Sequence, residues 1–271
     1  MNKTVIIIPS RLDAARLPNK PLELINNKEM ILHVYEAAKK TNSEVYVATP
    51  DQKIIDVVNQ NKGKAVLTSI NHQTGTDRVY EVFKGHLNSE PNLIINCIGV
   101  VKQITHKNQI SEILRVNSFL PHQLAEIISV QKNIRLIHFS TDCVFLGTKG
   151  NYKEIDLPDA HDIYGRSKLL GELYYPNTLT LRTSIIGHEL QTNHSLLNWF
   201  LSQKKTIDGY KHAFFSGLSA LEVAKFLDQY IIPNKKIKGL FHLSGKTISK
   251  YDLLNIIKVV YKKEIKIKIN R

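Results

Sequence analysis

The sequence contains few cysteines and no long apolar run. Its only two cysteines, Cys97 and Cys143, match neither a disulfide framework nor a metal-binding motif. The apolar run at residues 5–8 is too short for a signal-peptide core, and no run approaches the length of a membrane span. We therefore expect a cytoplasmic protein that neither inserts into a membrane nor holds a structural metal ion.

Acidic residues are scarce relative to basic ones. The 24 Asp and Glu residues against 37 Lys and Arg residues give a formal net charge of +13. This excess is compatible with a nucleic-acid surface or with a site for an anionic nucleotide substrate. The lysines are spread along the chain, most densely at residues 262–271, and no nucleic-acid recognition motif accompanies them. We therefore expect a nucleotide-linked ligand and no nucleic-acid partner, with much of the charge on solvated faces.

The order of apolar segments predicts the fold class. A chain of 271 residues with 42% hydrophobic residues can form one large α/β domain or two small ones. Continuous apolar strands alternate with helices, so we expect a doubly wound, mainly parallel, Rossmann-like sheet. Strands are predicted at residues 5–9, 44–49, 65–67, 93–97, 135–140, 178–183 and 240–244. Helices are predicted at 29–40, 51–61, 77–84, 110–130 (kinked or broken at Pro121), 164–174, 196–203, 219–230 and 251–261.

A tyrosine and a lysine one helical turn apart give the most specific chemical signal. Tyr164 and Lys168 share one face of a predicted helix, and Thr141 lies upstream at the end of a predicted strand. Such a tyrosine can donate a proton during carbonyl reduction while the hydroxyl orients the substrate oxygen. We expect the lysine to lower the pKa of the phenol. The site needs a nicotinamide cofactor, yet no glycine-rich turn for its pyrophosphate follows the first strand.

Five motifs occur in a fixed order in the second part of the chain, at residues 93–99, 115–117, 138–145, 164–172 and 181–187. With these motifs, the chain from about residue 92 onward resembles extended short-chain dehydrogenases/reductases of the dTDP-4-dehydrorhamnose reductase group. The resemblance implies NADPH or NADH as cofactor, a nucleotide-linked sugar as substrate and a small C-terminal substrate-binding lobe. It implies catalytic roles for Thr141, Tyr164 and Lys168. The implied cofactor-binding residues are Asn96, Ile98, Gly99, Asn117, Tyr164 and Lys168.

The first part of the chain carries different motifs, at residues 8–12, 16–22, 47–49 and 72–78. Arg11, Arg16 and Lys20 follow the first strand on one polar loop and could converge on a triphosphate. With these motifs, residues 4 to about 84 resemble 3-deoxy-manno-octulosonate cytidylyltransferases, and the resemblance adds Gly75 and Arg78 as nucleotide-binding residues. Transfer by such an enzyme needs Mg²⁺. The family carries its metal-binding aspartate just after the fourth strand. In this chain Cys97, Ile98 and Gly99 stand there, so the aspartate is absent.

The two resemblances meet on a strand that both families share. We predict a chimeric chain, with a cytidylyltransferase-like segment at residues 1–90 and a reductase-like segment at 91–271 that together complete one sheet. Three functions stay open: NAD(P)H-dependent reduction of a keto sugar nucleotide in cell-surface polysaccharide or lipopolysaccharide biosynthesis, CTP-dependent cytidylyl transfer, and non-catalytic binding or regulation. The sequence also leaves open the sugar, the choice between NADH and NADPH, and whether the protein forms a homodimer.

Overall fold

A computed structural model describes residues 5–13, 19–72, 75–86, 92–102, 109–130, 133–189 and 193–270. The chain divides into two compact units, Met1–Ile94 and Ile95–Arg271. The predicted fusion point and the predicted continuity of a single sheet stay predictions.

The first unit alternates strands with helices. In chain order its elements are β1 (Val5–Pro9), a 3-10 helix (Lys20–Leu22), β2 (Leu24–Ile25), β3 (Lys28–Glu29), α1 (Met30–Lys39), β4 (Glu44–Thr49), α2 (Gln52–Gln60), β5 (Ala65–Leu67) and α3 (Gly75–His86). Strands β1, β4 and β5 form a parallel sheet in that order. Buried Val47 of β4 packs with Leu32 of α1 and Ile54 of α2, because each helix presents one apolar face to the sheet.

A four-stranded sheet has the order β13–β8–β7–β6. Strands β7 (Arg135–Thr141), β8 (Thr178–Thr183) and β13 (Gly239–Leu243) lie in the second unit, and the boundary between the units falls within β6 (Leu93–Asn96). Strand β8 runs parallel to both of its neighbours. All six residues of β8 are buried, as expected for a central strand covered on both faces. The other helices of this unit are α4 (Ile110–Leu114), α5 (Leu120–Ser129), α6 (Ile163–Leu170), α7 (Leu196–Ser202), α8 (Ala220–Phe226) and α9 (Lys250–Val260).

Pro121 neither kinks nor breaks its helix in the predicted way. Between α4 and α5 the chain forms a π-helical turn at Arg115–Phe119, closed by the Leu120 N–H, which donates to the carbonyl of Arg115. Pro121 then stands in the first turn of α5, where its missing N–H is tolerated. The helix therefore continues through the proline by widening one turn, and such turns often occur at functional sites.

Helix α6 is shorter than predicted, since it ends at Leu170 and the prediction ran to residue 174. Gly171 follows it and lies directly against the backbone of the π-turn. A Cβ atom at Gly171 would stand 2.0 Å from the carbonyl oxygen of Asn117. The close approach of two backbones ends the helix here, and only glycine allows it.

The C-terminal part of the second unit forms small sheets around a separate apolar cluster. Phe200 of α7 and Leu254 of α9 are buried in this cluster. Strand β15 (Ile267–Asn270) pairs in parallel with β10 (Ile207–Tyr210). Sequence patterns had assigned no element to this lysine-rich tail. The remaining short strands pair β9 (Ile185–Ile186) with β12 (Leu218–Ser219), and β11 (Phe214–Phe215) with β14 (Ile248–Ser249).

The predicted α/β class with mainly parallel sheets is confirmed. Most strands and helices of the sequence prediction lie within two residues of their observed bounds. Within the described ranges, no helix is both long enough and apolar enough to cross a bilayer.

Candidate active site

Helix α6 begins in tight contact with the turn that follows β7. The side chain of Asp162 caps the helix by accepting a hydrogen bond from the Gly165 N–H at 2.9 Å. A Cβ atom at Gly165 would stand 2.3 Å from the carbonyl oxygen of Cys143, so glycine is needed for this approach. The packing brings Tyr164 close enough to Thr141 for the threonine side chain to lower the pKa of the phenol. The two predicted groups of the proton-donor site therefore lie near each other.

Lys168 is buried and pairs with a backbone carbonyl. Its Nζ atom donates a hydrogen bond to the carbonyl oxygen of Phe139 on β7 at 2.6 Å. Burial lowers the pKa of Lys168 to about 8, and the charge of Glu172 opposes that shift. At neutral pH the side chain is still an ammonium ion.

The net pKa shift of Tyr164 is upward, although we expected the charge of Lys168 to lower this pKa. Burial raises it most, because burial disfavours the phenolate, while Thr141 works in the opposite direction. The nearby groups Cys143, Asp142 and Asp162 raise the pKa further. Tyr164 is therefore fully protonated at neutral pH, the state a proton donor needs.

Asn117 fixes the loop that follows β6. From the π-turn, its Oδ1 accepts a hydrogen bond from the Val100 N–H at 2.8 Å, and its Nδ2 donates to the Val100 carbonyl at 3.1 Å. The Nδ2 group also donates to the hydroxyl of Ser167 at 3.0 Å. A Cβ atom at Gly99 would lie 3.7 Å from Lys168 Nζ. The absent side chain at Gly99 thus leaves space beside the ammonium.

Asn96 orders the start of the same loop. Its Oδ1 accepts from the Ile98 N–H at 3.1 Å, which turns its Nδ2 toward Nδ1 of His138 at 3.1 Å. His138 must then accept at Nδ1 and carry its proton on Nε2. That Nε2 is buried, and the described residues give it no hydrogen-bond partner. Asn96 and Asn117 therefore each order part of the loop after β6, and Gly99 of that loop lies beside both Asn117 and Lys168.

Sequence reasoning assigned no role to a buried ion pair next to this site. Glu172 accepts two hydrogen bonds from Arg182 and a third from the hydroxyl of Ser140 at 2.8 Å. The guanidinium of Arg182 also lies over the ring of Phe145, 5.1 Å from its centroid. The available signal was Glu172 itself, four residues after Lys168 within the same motif.

The two cysteines are not activated as nucleophiles. Burial raises the pKa of the Cys143 thiol, and the charge of Asp142 raises it further. Burial also raises the pKa of the Cys97 thiol, although Lys168 opposes that shift. Within the described residues, no group of histidine, cysteine and carboxylate side chains is arranged to hold a metal ion.

The first unit holds a second set of predicted residues. Gly75 begins α3 against Pro9, and a Cβ atom there would lie 3.2 Å from the proline ring. The guanidinium of Arg78 is buried and donates to three oxygens of the preceding loop, those of Thr68, Ser69 and His72, at 2.8–3.2 Å. Its positive charge is thus used to order residues 68–72.

Two other members of this set follow β1: Arg11 lies on the loop, and Lys20 begins the 3-10 helix. Arg11 is exposed and close enough to lower the pKa of Arg78, after the larger effect of burial. Lys20 is half-buried, and burial lowers its pKa. The predicted member Arg16 lies outside the described residues, as does Thr74. In the described residues, Arg11 thus lies near enough to Arg78 for the two positive charges to repel each other.

The first half of the chain matches a cytidylyltransferase family. The family model with the description "Cytidylyltransferase" matches residues 5–133, well beyond the predicted limit near residue 84. A 3-deoxy-manno-octulosonate cytidylyltransferase from Thermodesulfovibrio yellowstonii is 41% identical over 103 residues, 35% of this chain and 40% of that protein. The Rickettsia prowazekii enzyme is 38% identical over 126 residues, 46% of this chain and 50% of that protein. The chain thus spans about half or less of the relatives that it matches.

Solved structures of sugar-nucleotide reductases are similar in fold to this one. A dTDP-4-dehydrorhamnose reductase from Bacillus anthracis, solved in complex with NADP, matches with a TM-score of 0.65 and 17% identity over 100% of this chain and 84% of that chain. The reductase from Clostridium acetobutylicum gives a TM-score of 0.64 at 19% identity over 98% and 84%. Both predicted resemblances are therefore confirmed, one by sequence in the first part and one by a Rossmann-like, short-chain reductase fold.

Proposed function

We propose that the second unit reduces a keto group of a nucleotide-linked sugar, using NADPH or NADH. The observation that carries the proposal is the placement of Tyr164 and Lys168 one turn apart on α6, with Thr141 near the phenol and the buried ammonium held by the Phe139 carbonyl. This is the arrangement that protonates a carbonyl oxygen during reduction. The similarity of the fold to sugar-nucleotide reductases supports the substrate class.

The residues around Lys168 suit the nicotinamide ribose. Lys168 is a charged donor beside the space left by Gly99, and Asn117 holds the adjoining loop in place. When bound, the reduced nicotinamide would supply a hydride to the carbonyl carbon. Thr141 would hydrogen-bond the carbonyl oxygen, and Tyr164 would give that oxygen its proton. The glycine-rich turn that usually receives the pyrophosphate is absent from the sequence, so we expect weaker cofactor binding than in complete reductases.

Removal of one oxygen atom tests this proposal. Tyr164→Phe should keep NADPH binding, followed by quenching of its fluorescence, and lower the reduction of a keto sugar nucleotide by about 10²–10⁴-fold. Tyr174→Phe is the matched control, because Tyr174 is 74% exposed just beyond the same helix. An unchanged rate in Tyr164→Phe, or no turnover of any keto sugar nucleotide by the wild type, would refute the proposal.

The family match favours a second candidate, a CTP-binding protein of the cytidylyltransferase type. Arg11, Lys20 and Arg78 would then contact phosphates, and Mg²⁺ would be required for transfer. This candidate is weakened because Arg78 already donates to three oxygens of its own loop. It predicts pyrophosphate release from CTP with Mg²⁺ and loss of that release in Arg11→Ala. A third outcome, thermal stabilisation by a nucleotide sugar without turnover, would identify a non-catalytic binding protein.

The proposed reaction places the protein in the cytoplasm, where reduced nicotinamide nucleotides are available, within cell-surface polysaccharide or lipopolysaccharide biosynthesis. A homodimer is compatible with this role, and analytical ultracentrifugation of the purified chain would establish the oligomeric state.

A further inference from the structure

A groove lined by lysines lies beside helix α9 and strand β15, with a volume of about 770 Å³. Glu264 is the one carboxylate among its lining residues. Lys263 directs its Nζ atom to the carbonyl oxygen of Leu201 at 2.6 Å. Within the described residues, the three other lysines of the groove form no ion pair with a carboxylate; they are Lys258, Lys262 and Lys266. The groove therefore carries an excess of positive charge.

An uncovered apolar stripe runs along the adjoining face of α9. Ile256, Val259 and Val260 follow the i, i+3, i+4 spacing of neighbours on one helix face, and they are 52%, 75% and 67% exposed. The other apolar face of α9, with Leu254 and Ile257, is buried in the core of the lobe. Val259 also lines the lysine groove, so the apolar stripe and the positive charge are contiguous.

We propose that this surface, defined as Ile256, Val259 and Val260 together with Lys258, Lys262 and Lys266, docks on an anionic phospholipid bilayer. Lysine stems are long enough to carry their ammonium groups to lipid phosphates while short aliphatic side chains reach the boundary of the acyl chains. Attraction to the negative surface supplies the first contact, and burial of the aliphatic stripe supplies the second. The docking is peripheral and needs no membrane span.

Two other kinds of partner fit this surface less well. Protein interfaces are enriched in arginine and aromatic residues and depleted in lysine. This surface holds three lysines and no arginine, and its neighbouring rings are Tyr251, which lines the groove, and Tyr261, which is 41% exposed. A nucleic acid would use the lysines but would leave the aliphatic stripe uncovered, with no base-stacking ring within it. Positive charge combined with aliphatic side chains is the combination that an anionic lipid surface satisfies.

Vesicle sedimentation of the full chain tests the proposal. We expect binding to vesicles of phosphatidylcholine mixed with phosphatidylglycerol, little binding to phosphatidylcholine alone, and weaker binding as salt is added. The triple variant Lys258→Gln/Lys262→Gln/Lys266→Gln should lower the partition coefficient at least about tenfold. Val259→Asp should lower it as well, because it places a negative charge within the stripe. If Val259→Asp lowers the melting temperature, Val260→Asp tests the contribution of the apolar stripe to vesicle binding instead.

Matched controls separate this surface from the general charge of the chain. Lys235→Gln/Lys236→Gln/Lys238→Gln removes the same charge from an exposed loop, and Ile155→Asp changes a side chain that is 91% exposed elsewhere in the unit. Both controls should bind mixed vesicles like the wild type. The proposal is overturned if the wild type does not bind mixed vesicles. It is overturned too if the triple variant of the groove and the triple variant of the control loop lose binding equally. It is also overturned if the two aspartate variants bind normally, or if duplex DNA competes fully with the vesicles.

Discussion

Arg182 and Glu172 form a doubly hydrogen-bonded ion pair inside the second unit. Arg182 Nε lies 2.7 Å from one carboxylate oxygen, and Nη2 lies 2.7 Å from the other. Both side chains are almost completely buried. Because Ser140 donates to the same carboxylate, the pair connects β8 and the end of α6 to the residue before Thr141. The packing of the candidate active site thus depends on a charge pair that water does not reach.

Loss of the carboxylate charge should destabilise the protein strongly. Glu172→Gln leaves the guanidinium of Arg182 buried without its counter-charge, which we expect to cost about 3–5 kcal/mol in the free energy of unfolding. Urea unfolding followed by circular dichroism measures this loss. Glu222→Gln is the control, because its ion pair with Lys225 is more than half exposed and should contribute less than about 1 kcal/mol. Equal losses in the two variants would contradict the role of burial.

Two glycines should respond in opposite ways to the same added methyl group. Gly165→Ala places a Cβ atom 2.3 Å from a carbonyl oxygen, so the start of α6 must move away from the turn after β7. We expect a loss of about 2 kcal/mol or more in stability, together with weaker cofactor binding. Gly85→Ala meets nothing within 4 Å on the exposed face of α3 and should leave stability equal or slightly higher. Thermal melting compares the two variants, and similar melting points would argue against this packing.

Lys168 should make the protein more stable as pH rises above 8. Its pKa in the folded state is about 8, below the ordinary value of 10.5, so the unfolded state binds more protons between those values. The free energy of unfolding should therefore increase across pH 8 to 10.5, by up to about 3 kcal/mol from this residue. Lys168→Met should remove that increase. Urea unfolding at several pH values measures the free energy of unfolding of the wild type and of Lys168→Met. If the difference between these two free energies did not change with pH, the assignment to Lys168 would be contradicted.

His138 should make the protein sensitive to acid. Burial lowers its pKa from 6.5 to about 3, and the charges of Lys168 and His122 add to that effect. Since the unfolded state binds the proton first, stability should fall as pH decreases from 6.5 toward 3, by at most about 5 kcal/mol from this residue.

A non-titrating substitution isolates this contribution. His138→Gln keeps an acceptor for the amide of Asn96 and should flatten the acid dependence of the melting temperature. His161→Gln is the control, because His161 is exposed, and it should preserve the dependence of the wild type. An acid dependence that survives in His138→Gln would assign the effect to other groups.

The sequence identified the groups of the site more readily than their electrostatics. The spacing of Tyr164 and Lys168 was sufficient to predict a shared helix face, and the structure has that helix. The partner of Lys168 is a carbonyl 29 residues away, which only the packing of α6 on β7 brings near. The pKa of Tyr164 is raised rather than lowered because burial outweighs the other effects, and burial depends on tertiary contacts that the sequence pattern does not show.

Some elements were missed although the sequence contained a signal. Ile267 and Ile269 alternate with lysines, which is typical of a half-buried strand, yet the tail was interpreted only as a charge cluster. Pro121 correctly marked an irregular helix, but a proline cannot by itself distinguish a break from a widened turn. That choice depends on whether neighbouring residues, here Asn117 and Ser118, find partners in another helix.

The widened turn at Arg115–Phe119 also sets the rotational phase of a whole helical segment. Buried Ile113 precedes it, and buried Ala125 and Ile128 follow it. The hydrogen bond of this turn spans five residues where an α-helical bond spans four, so the turn takes up one extra residue and these buried side chains can stay on one face. Deleting one residue within the turn should therefore restore a regular α-helix, whereas an additional residue there should rotate the downstream side chains by about 100°.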